Sequence, residues 1–153
     1  MRKNVVITDI TEQYVENATP GKGMINREER FREKDHEDEI SVAQILYDNY
    51  GGNIILLAEE SFRNENPDYK WNNKLWDLKK PIKINNLGKL VQKGLSQIFN
   101  NPGGIVIDIT KLKEPQTKIE QVVKERIQTS MRNSIDIIFI RNSTIIKVYR
   151  YKK

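Results

Sequence analysis

The chain contains no cysteine, and its one histidine is His36. These two facts exclude disulfide scaffolds, thiolate nucleophiles and cysteine-based zinc sites, and they argue against a histidine-based zinc site or a Ser-His-Asp triad. No apolar run approaches the roughly 20 residues that a transmembrane helix needs. The opening stretch MRKNVVITDITEQ also lacks the apolar core of a signal peptide. We therefore expect a cytoplasmic protein without a membrane partner, whose chemistry rests on carboxylates, lysines and hydroxyl groups.

Charge is modest in sum but uneven along the chain. The 153 residues, enough for one domain with a real core, carry 26 Lys+Arg against 21 Asp+Glu. Residues 27–39 are mainly acidic, whereas residues 69–99 contain seven lysines and a single acid, Asp77. A basic block of this kind is typical of proteins that bind polyanions. We expect nucleic acid as the partner, with phosphate contacts from Lys70, Lys80, Lys83, Lys89 and Lys93.

Periodicity divides the chain into an N-terminal arm or linker over residues 1–35, with a short strand near Val5, and a folded domain over residues 36–153. Apolar residues at helical spacing predict a helix over residues 39–50, a second one with Asn85 or Asn86 as its N-cap, and a third just past Pro115. Short apolar runs between them predict strands. The resulting order, αβββαβαββ, indicates an α/β (α+β) fold with a mixed sheet flanked by helices.

The most informative segment is a predicted hairpin whose strands, residues 68–71 and 74–79, are joined by Asn72 and Asn73. Asparagine tolerates positive φ, which a two-residue hairpin turn requires. With this register, alternation places the aromatic residues on one face. There Trp71 and Trp76 are expected in the core, with base stacking as the alternative. Asp68 and Asp77 then lie opposite each other on the other face.

Two carboxylates opposite each other across a ladder repel, so such a pair needs a cation or a shared proton. Mg²⁺, or Mn²⁺ in its place, is commonly held by one or two carboxylates together with phosphate oxygens. We therefore predict Asp68 and Asp77 as catalytic metal ligands. Lys79 is expected to assist by polarising water or stabilising charge on phosphorus. Either acid taken alone could be a solvated residue beside a turn; the pair together with Lys79 favours a site.

The residues Pro67-Asp68 followed by Asp77-Leu78-Lys79 resemble the PD-(D/E)xK nuclease signature, and the order of elements over residues 39–109 agrees with the core of that superfamily. This resemblance implies two further site residues. One is an acid on the first core helix, for which Glu39 is the candidate and Glu37 the alternative. The other is a polar residue on the helix after the third strand, here Gln97.

More narrowly, NPDYKWNNKLWDLKKP and the later GGIVIDI are similar to the C-terminal tRNA nuclease domain of CdiA-type toxins of contact-dependent inhibition. The similarity extends over about residues 36–150. Relatives of that domain also occur in phage and mobile-element proteins. The resemblance implies a nuclease-like domain over residues 36–153 that cleaves tRNA, acts in the cytoplasm of a target cell, and has a cognate immunity protein as a possible partner.

Other functions stay open from the sequence. A metal-independent ribonuclease of the barnase/EndoU/colicin/RelE type could use Lys79, Thr129 and Ser130 in place of histidine. The same signature also serves DNA nucleases. A non-catalytic nucleic-acid or protein-binding module could retain the fold without the chemistry. The sequence predicts neither the oligomeric state nor the position of cleavage.

Overall fold

The computed structural model describes residues 4–153; residues 1–3 of the predicted arm lie outside the described residues. A short 3-10 turn, Glu33–Asp35, precedes the second helix. The strands and helices, in chain order, are β1 (Val6–Asp9), α1 (Thr11–Glu16), β2 (Gly23–Arg27), α2 (Glu37–Tyr50), β3 (Gly52–Leu56), β4 (Tyr69–Trp71), β5 (Lys74–Lys79), α3 (Ile84–Gln97), β6 (Pro102–Asp108), α4 (Gln116–Thr129), β7 (Ser134–Arg141) and β8 (Thr144–Lys152).

All of these strands belong to one mixed sheet with the order β1-β8-β7-β6-β5-β4-β3-β2. The pairs β2–β3, β5–β6 and β6–β7 are parallel, and the other pairs are antiparallel. The carboxyl ends of β3, β5, β6 and β7 therefore meet at one edge of the sheet, together with the amino end of β4. The mixed α+β architecture and the order αβββαβαββ from α2 onward are confirmed.

Helices cover both faces of the sheet. On one face, α3 and α4 pack on the odd-numbered apolar residues of β6 and β7, among them Ile105, Ile107 and Ile137. On the other face, α2 packs on Val106 and Ile138. Because both faces are buried, the central parallel strands are almost continuously apolar. Side chains of consecutive β5 residues therefore point to opposite faces of the sheet, one covered by α3 and α4 and the other by α2.

The prediction of an N-terminal arm or linker is wrong for the described residues. Among the described residues, β1 pairs antiparallel with β8, and β2 pairs parallel with β3, so this segment supplies both edges of the sheet. The short strand predicted near Val5 is β1, but the sequence pattern missed β2 and the place of both strands in the sheet, because edge strands are short and expose part of their apolar surface: Val6 is 63% and Met24 is 52% exposed. The two strands of residues 4–35 therefore belong to the same sheet as the other strands of the chain.

The predicted hairpin is confirmed in its turn and its register. Asn72 and Asn73 have φ values of 49° and 67°, as a type I′ turn requires. Tyr69 pairs with Trp76 across the ladder. The start of α3 is different from the prediction: this helix begins at Ile84, so neither Asn85 nor Asn86 caps it, because both already lie in its first turn. None of the helices in residues 4–153 is both long and apolar enough to cross a membrane.

Candidate active site

The hairpin brings the two predicted acids together. Asp68 immediately precedes β4, and its backbone N–H donates to the carbonyl oxygen of Trp76 at 3.1 Å. Its carboxylate Oδ2 accepts a hydrogen bond of 2.7 Å from the backbone N–H of Leu78. Asp77, on β5, is 1% exposed. Alternation places both carboxylates on the face of the sheet that α3 covers.

Asp77 is enclosed by a lysine and a helix. Its Oδ2 lies 2.8 Å from Lys79 Nζ. Beyond this ion pair, Oδ2 has no hydrogen-bond partner in the part of the chain that the structure describes. Helix α3 approaches closely at Gly94, where a Cβ would stand 2.9 Å from Ile105 Cδ1 and 3.6 Å from Asp77 Oδ2. The glycine therefore lets the helix pack directly over the buried carboxylate.

Burial governs the protonation of the pair. Burial, followed by the negative charge of Asp77, raises the pKa of Asp68 to about 9 against the opposing hydrogen bond from Leu78. Burial also raises the pKa of Asp77, while the Lys79 ammonium lowers it. These shifts favour a proton on Asp68 at neutral pH, and Lys79 favours the ionised form of Asp77.

The chemistry of these groups fits a hard divalent cation. Two carboxylates, one of them with a buried oxygen that has only an ion-pair partner, are the oxygen donors that Mg²⁺ prefers. In residues 4–153 no three histidine, aspartate or glutamate side chains form a ready metal cluster. A cation held by Asp68 and Asp77 would therefore take its remaining ligands from water or phosphate oxygens. Its binding would also release the proton of the pair.

Glu39 lies beside this pair. Its backbone carbonyl accepts a 2.6 Å hydrogen bond from the hydroxyl of Tyr69, which ties the first turn of α2 to β4. Its side-chain Oε1 is 3.4 Å from His36 Nδ1. The charge of Glu39 also contributes to the raised pKa of Asp68. The alternative residue, Glu37, is exposed at the start of the same helix.

Gln97, the last residue of α3, is engaged elsewhere. Its Oε1 accepts a hydrogen bond from the backbone N–H of Asn66, and the Asn66 amide in turn bonds both to the backbone N–H and to the carbonyl oxygen of Glu60. Gln97 therefore anchors the loop between β3 and β4 to α3. Its predicted catalytic role stays a prediction, but its side-chain oxygen already has a structural partner.

The predicted phosphate-binding lysines are in two kinds of environment. Lys80 Nζ is 3.0 Å from Asp38 Oδ1 and 4.0 Å from Asp108 Oδ2, so two carboxylates already offset its charge. The other four are Lys70, which is half-buried on β4, and three exposed lysines just before and along α3: Lys83, Lys89 and Lys93. This second group lies on β4 and on or just before α3, the helix that covers the face with the acid pair.

A second charged cluster, not among the residues predicted from the sequence, lies on the opposite face of the sheet. Arg150 donates from Nε to Asp136 Oδ1 at 2.7 Å and from Nη2 to Oδ2 at 3.1 Å. The Tyr14 hydroxyl donates to the same Oδ2 at 2.7 Å. The sequence held one signal of this cluster, because Asp136 is an acid within an apolar strand; the observed ladder of β7 and β8 pairs it with Arg150.

Comparison with known proteins gives one similarity, of fold. No protein-family model matches the chain, and no curated protein matches it either. Among solved structures, a chain of the "CdiA-CT/CdiI toxin and immunity complex from Burkholderia pseudomallei" has a similar fold, with a TM-score of 0.54 and 15% sequence identity. The match covers 81% of this chain and 98% of that chain. At this identity the likeness shows the fold, and the chemistry has to be argued from the residues.

Proposed function

We propose that this chain is a toxin-type nuclease that cleaves RNA, with tRNA as its substrate class, by metal-assisted hydrolysis at Asp68 and Asp77. The observation that carries the proposal is the acid pair of buried Asp77 and half-buried Asp68, with Lys79 2.8 Å from Asp77. The fold similarity to a chain of a toxin and immunity complex supports the toxin class. It also supports a cognate immunity protein as a partner and the cytoplasm of a target cell as the place of action.

Each residue of the site has a defined part in this proposal. Asp68 and Asp77 hold the divalent cation, which when bound polarises the scissile phosphate and offsets its negative charge. Lys79 holds Asp77 in its ionised form, and its ammonium can donate a hydrogen bond to a phosphate oxygen as charge builds up there. Hydrolysis forms a bond from a water oxygen to phosphorus and breaks a phosphorus–oxygen bond of the RNA backbone.

Residues around the acid pair orient the substrate. Lys89 and Lys93, on the exposed side of α3, bind backbone phosphates through charge and therefore position the RNA without reading its sequence. Helix α3, packed over Asp77 at Gly94, shields the acid pair from bulk water. The carboxylate of Glu39 adds negative charge beside Asp68, which favours uptake of a cation.

The direct test incubates the purified chain with total tRNA in the presence of Mg²⁺ or EDTA. We compare the wild type with Asp77→Asn, which keeps the shape of the side chain and removes its charge, and with Asp48→Asn, an exposed acid of α2, as the matched control. The expected result is cleavage with Mg²⁺ by the wild type and the control only. Cleavage that survives both EDTA and Asp77→Asn contradicts the proposal. A parallel incubation with single- and double-stranded DNA tests the choice of RNA.

A further inference from the structure

A cavity of about 390 Å³ lies on the face of the sheet opposite the acid pair, at the amino ends of β5 and β6. Aromatic rings line it in a continuous series. The ring centroids of Tyr14 and Tyr50 are 5.4 Å apart, those of Tyr50 and Trp71 6.0 Å, and those of Trp71 and Trp76 5.1 Å. Because Trp76 and Asp77 are consecutive on β5, the cavity and the acid pair lie on different sides of one strand.

The polar end of the cavity is built from the Asp136–Arg150 ion pair and Tyr14. Burial raises the pKa of Tyr14, so its hydroxyl stays protonated and continues to donate to Asp136. A guanidinium has five N–H donors, and the contacts with Asp136 use two of those of Arg150. The others are available to a ligand that enters the cavity.

Trp76 adds a second available donor. The Trp71 indole N–H donates to the carbonyl oxygen of Gly51 at 3.0 Å, whereas the hydrogen bonds found within residues 4–153 include none from Trp76 Nε1–H, which lies at the cavity wall. Trp76 packs on the β6 backbone, since a Cβ on Gly103 would stand 2.1 Å from Nε1 and one on Gly104 2.6 Å from Cζ3. The two glycines therefore allow the indole to lie flat at the cavity wall.

The rim supplies charge and amides. The cavity lining holds two cations, Lys74 and Arg150, against one carboxylate, Asp136. Lys74 is exposed beside the turn of the hairpin, and amide side chains complete the rim: Gln13, Asn17 and Asn72. Aromatic walls accept a flat ring, amides and N–H donors bind its heteroatoms, and a lysine at the mouth suits an anionic group.

We propose that this cavity binds a nucleotide, with the base among the aromatic rings and the phosphate at Lys74. The volume lies within the range of small-molecule sites, about 300–1,000 Å³. The ligand chemistry can come from a free nucleoside monophosphate or from an unpaired nucleotide of an RNA strand. The site is distinct from the acid pair, so its occupancy does not depend on the proposed nuclease reaction.

Intrinsic fluorescence tests the proposal, because both tryptophans of the chain line the cavity. AMP, GMP, CMP and UMP are titrated separately into the wild-type chain, with ribose 5-phosphate as the control that has the phosphate and no base. The expected result is saturable quenching, after inner-filter correction, by at least one nucleotide below about 1 mM. Ribose 5-phosphate is expected to leave the emission unchanged.

Variants separate this cavity from the acid pair. Lys74→Ala is expected to weaken nucleotide binding about three- to ten-fold, since it removes one phosphate contact. The matched control Lys118→Ala, an exposed lysine of α4 on the other face, and Asp77→Asn are expected to bind the nucleotide as the wild type does. The proposal is overturned if no nucleotide or RNA quenches saturably, or if Asp77→Asn abolishes the quenching.

A short unstructured oligoribonucleotide, titrated into the Asp77→Asn protein so that it is not cleaved, distinguishes the two ligand sources. At least ten-fold tighter binding than the best mononucleotide identifies an RNA strand as the ligand. Equal or weaker binding identifies the free nucleotide. Either result supports the cavity as a nucleotide site, provided that Lys74→Ala weakens it.

Discussion

Asp77 and Asp136 are two carboxylates on opposite faces of the same sheet, and they differ in how their oxygens are satisfied. Asp136 accepts three hydrogen bonds from Arg150 and Tyr14. Asp77 has its Oδ2 beside Lys79 and faces a second acid, Asp68, across the hairpin. A satisfied carboxylate stabilises a fold, whereas a crowded pair costs free energy that a bound cation can relieve. The difference separates a structural acid from a candidate catalytic one.

The largest effect is expected from Asp77→Asn. Changing groups that only orient a metal ligand commonly costs about 10–100-fold in affinity or activity, so loss of a direct ligand is expected to lower RNA cleavage at least about 100-fold. Because the substitution also removes a buried charge, we expect thermal stability in EDTA to be unchanged or higher. Thermal denaturation and initial cleavage rates check this. A variant that is less stable and fully active would reverse the roles given to the two acids.

Asp136→Asn is expected to have the opposite effects, with lower stability and retained RNA cleavage. The substitution removes the negative charge that accepts the hydrogen bonds joining β7, β8 and α1. Hydrogen bonds to a charged group commonly contribute about 1.5–3 kcal/mol each. Because Arg150 is 39% exposed, solvent offsets part of the loss, and we expect the free energy of unfolding to fall by about 2 kcal/mol.

Urea denaturation of Asp136→Asn is compared with that of Asp48→Asn, which is expected to stay within about 0.5 kcal/mol of the wild type. The cleavage rate of the folded Asp136→Asn protein is expected to be retained. A stable and inactive variant would show that the second cluster belongs to the reaction.

The pH dependence of stability sharpens the comparison further. The pKa of Asp68 is about 9 in the folded chain and near the ordinary value of about 3.9 when unfolded. The folded state therefore binds more protons between these values, and the free energy of unfolding falls as the pH rises from about 4 to about 9. The contribution is complete below the unfolded pKa and is lost as the pH rises through the folded one.

In EDTA, Asp68→Asn is expected to remove this slope and to be more stable than the wild type at pH 8 by about 1 kcal/mol or more. Urea denaturation of both proteins at pH 5 and pH 8 measures the difference, in which titrating groups away from the acid pair cancel. Identical pH dependence in the two proteins would mean that Asp68 does not carry the extra proton.

The smallest effects are expected at the lysines. Lys93→Ala removes a free surface cation from α3 and is expected to weaken RNA binding a few-fold and to reduce the salt slope by about 1. Lys80→Ala is expected to change the RNA affinity and the salt slope less, because Asp38 already lies 3.0 Å from the Lys80 ammonium. Binding at several salt concentrations compares them. Equal slopes for the two variants would place Lys80 on the RNA despite its ion pair.

Features with short-range causes were predicted from the sequence. The hairpin followed from two asparagines that adopt positive φ, and its register followed from the alternation of aromatic and polar residues around them. The placement of Asp68, Asp77 and Lys79 on one face follows from the same alternation, because a two-residue turn leaves the register little freedom.

Features that depend on how distant elements pack were missed or incomplete. The strand β2 is recognisable only through its pairing with β3, since α2 and the intervening loop separate the two in sequence. The engagement of Gln97 with Asn66, and of Lys80 with Asp38, depends on where a loop and a helix come to rest. No local pattern of residues encodes either contact.

The sequence by itself determined the order of elements from α2 onward, the turn of the hairpin and the shared face of its two acids, because propensity and alternation act over a few residues. The tertiary structure decided which carboxylate is satisfied, which lysine is neutralised and where a cavity forms. Tyr14 and Asp136 are separated by 122 positions and meet only when β1 joins β8 and brings α1 onto the sheet. Such contacts are selected by burial of the whole sheet, so their chemistry is visible only in the folded chain.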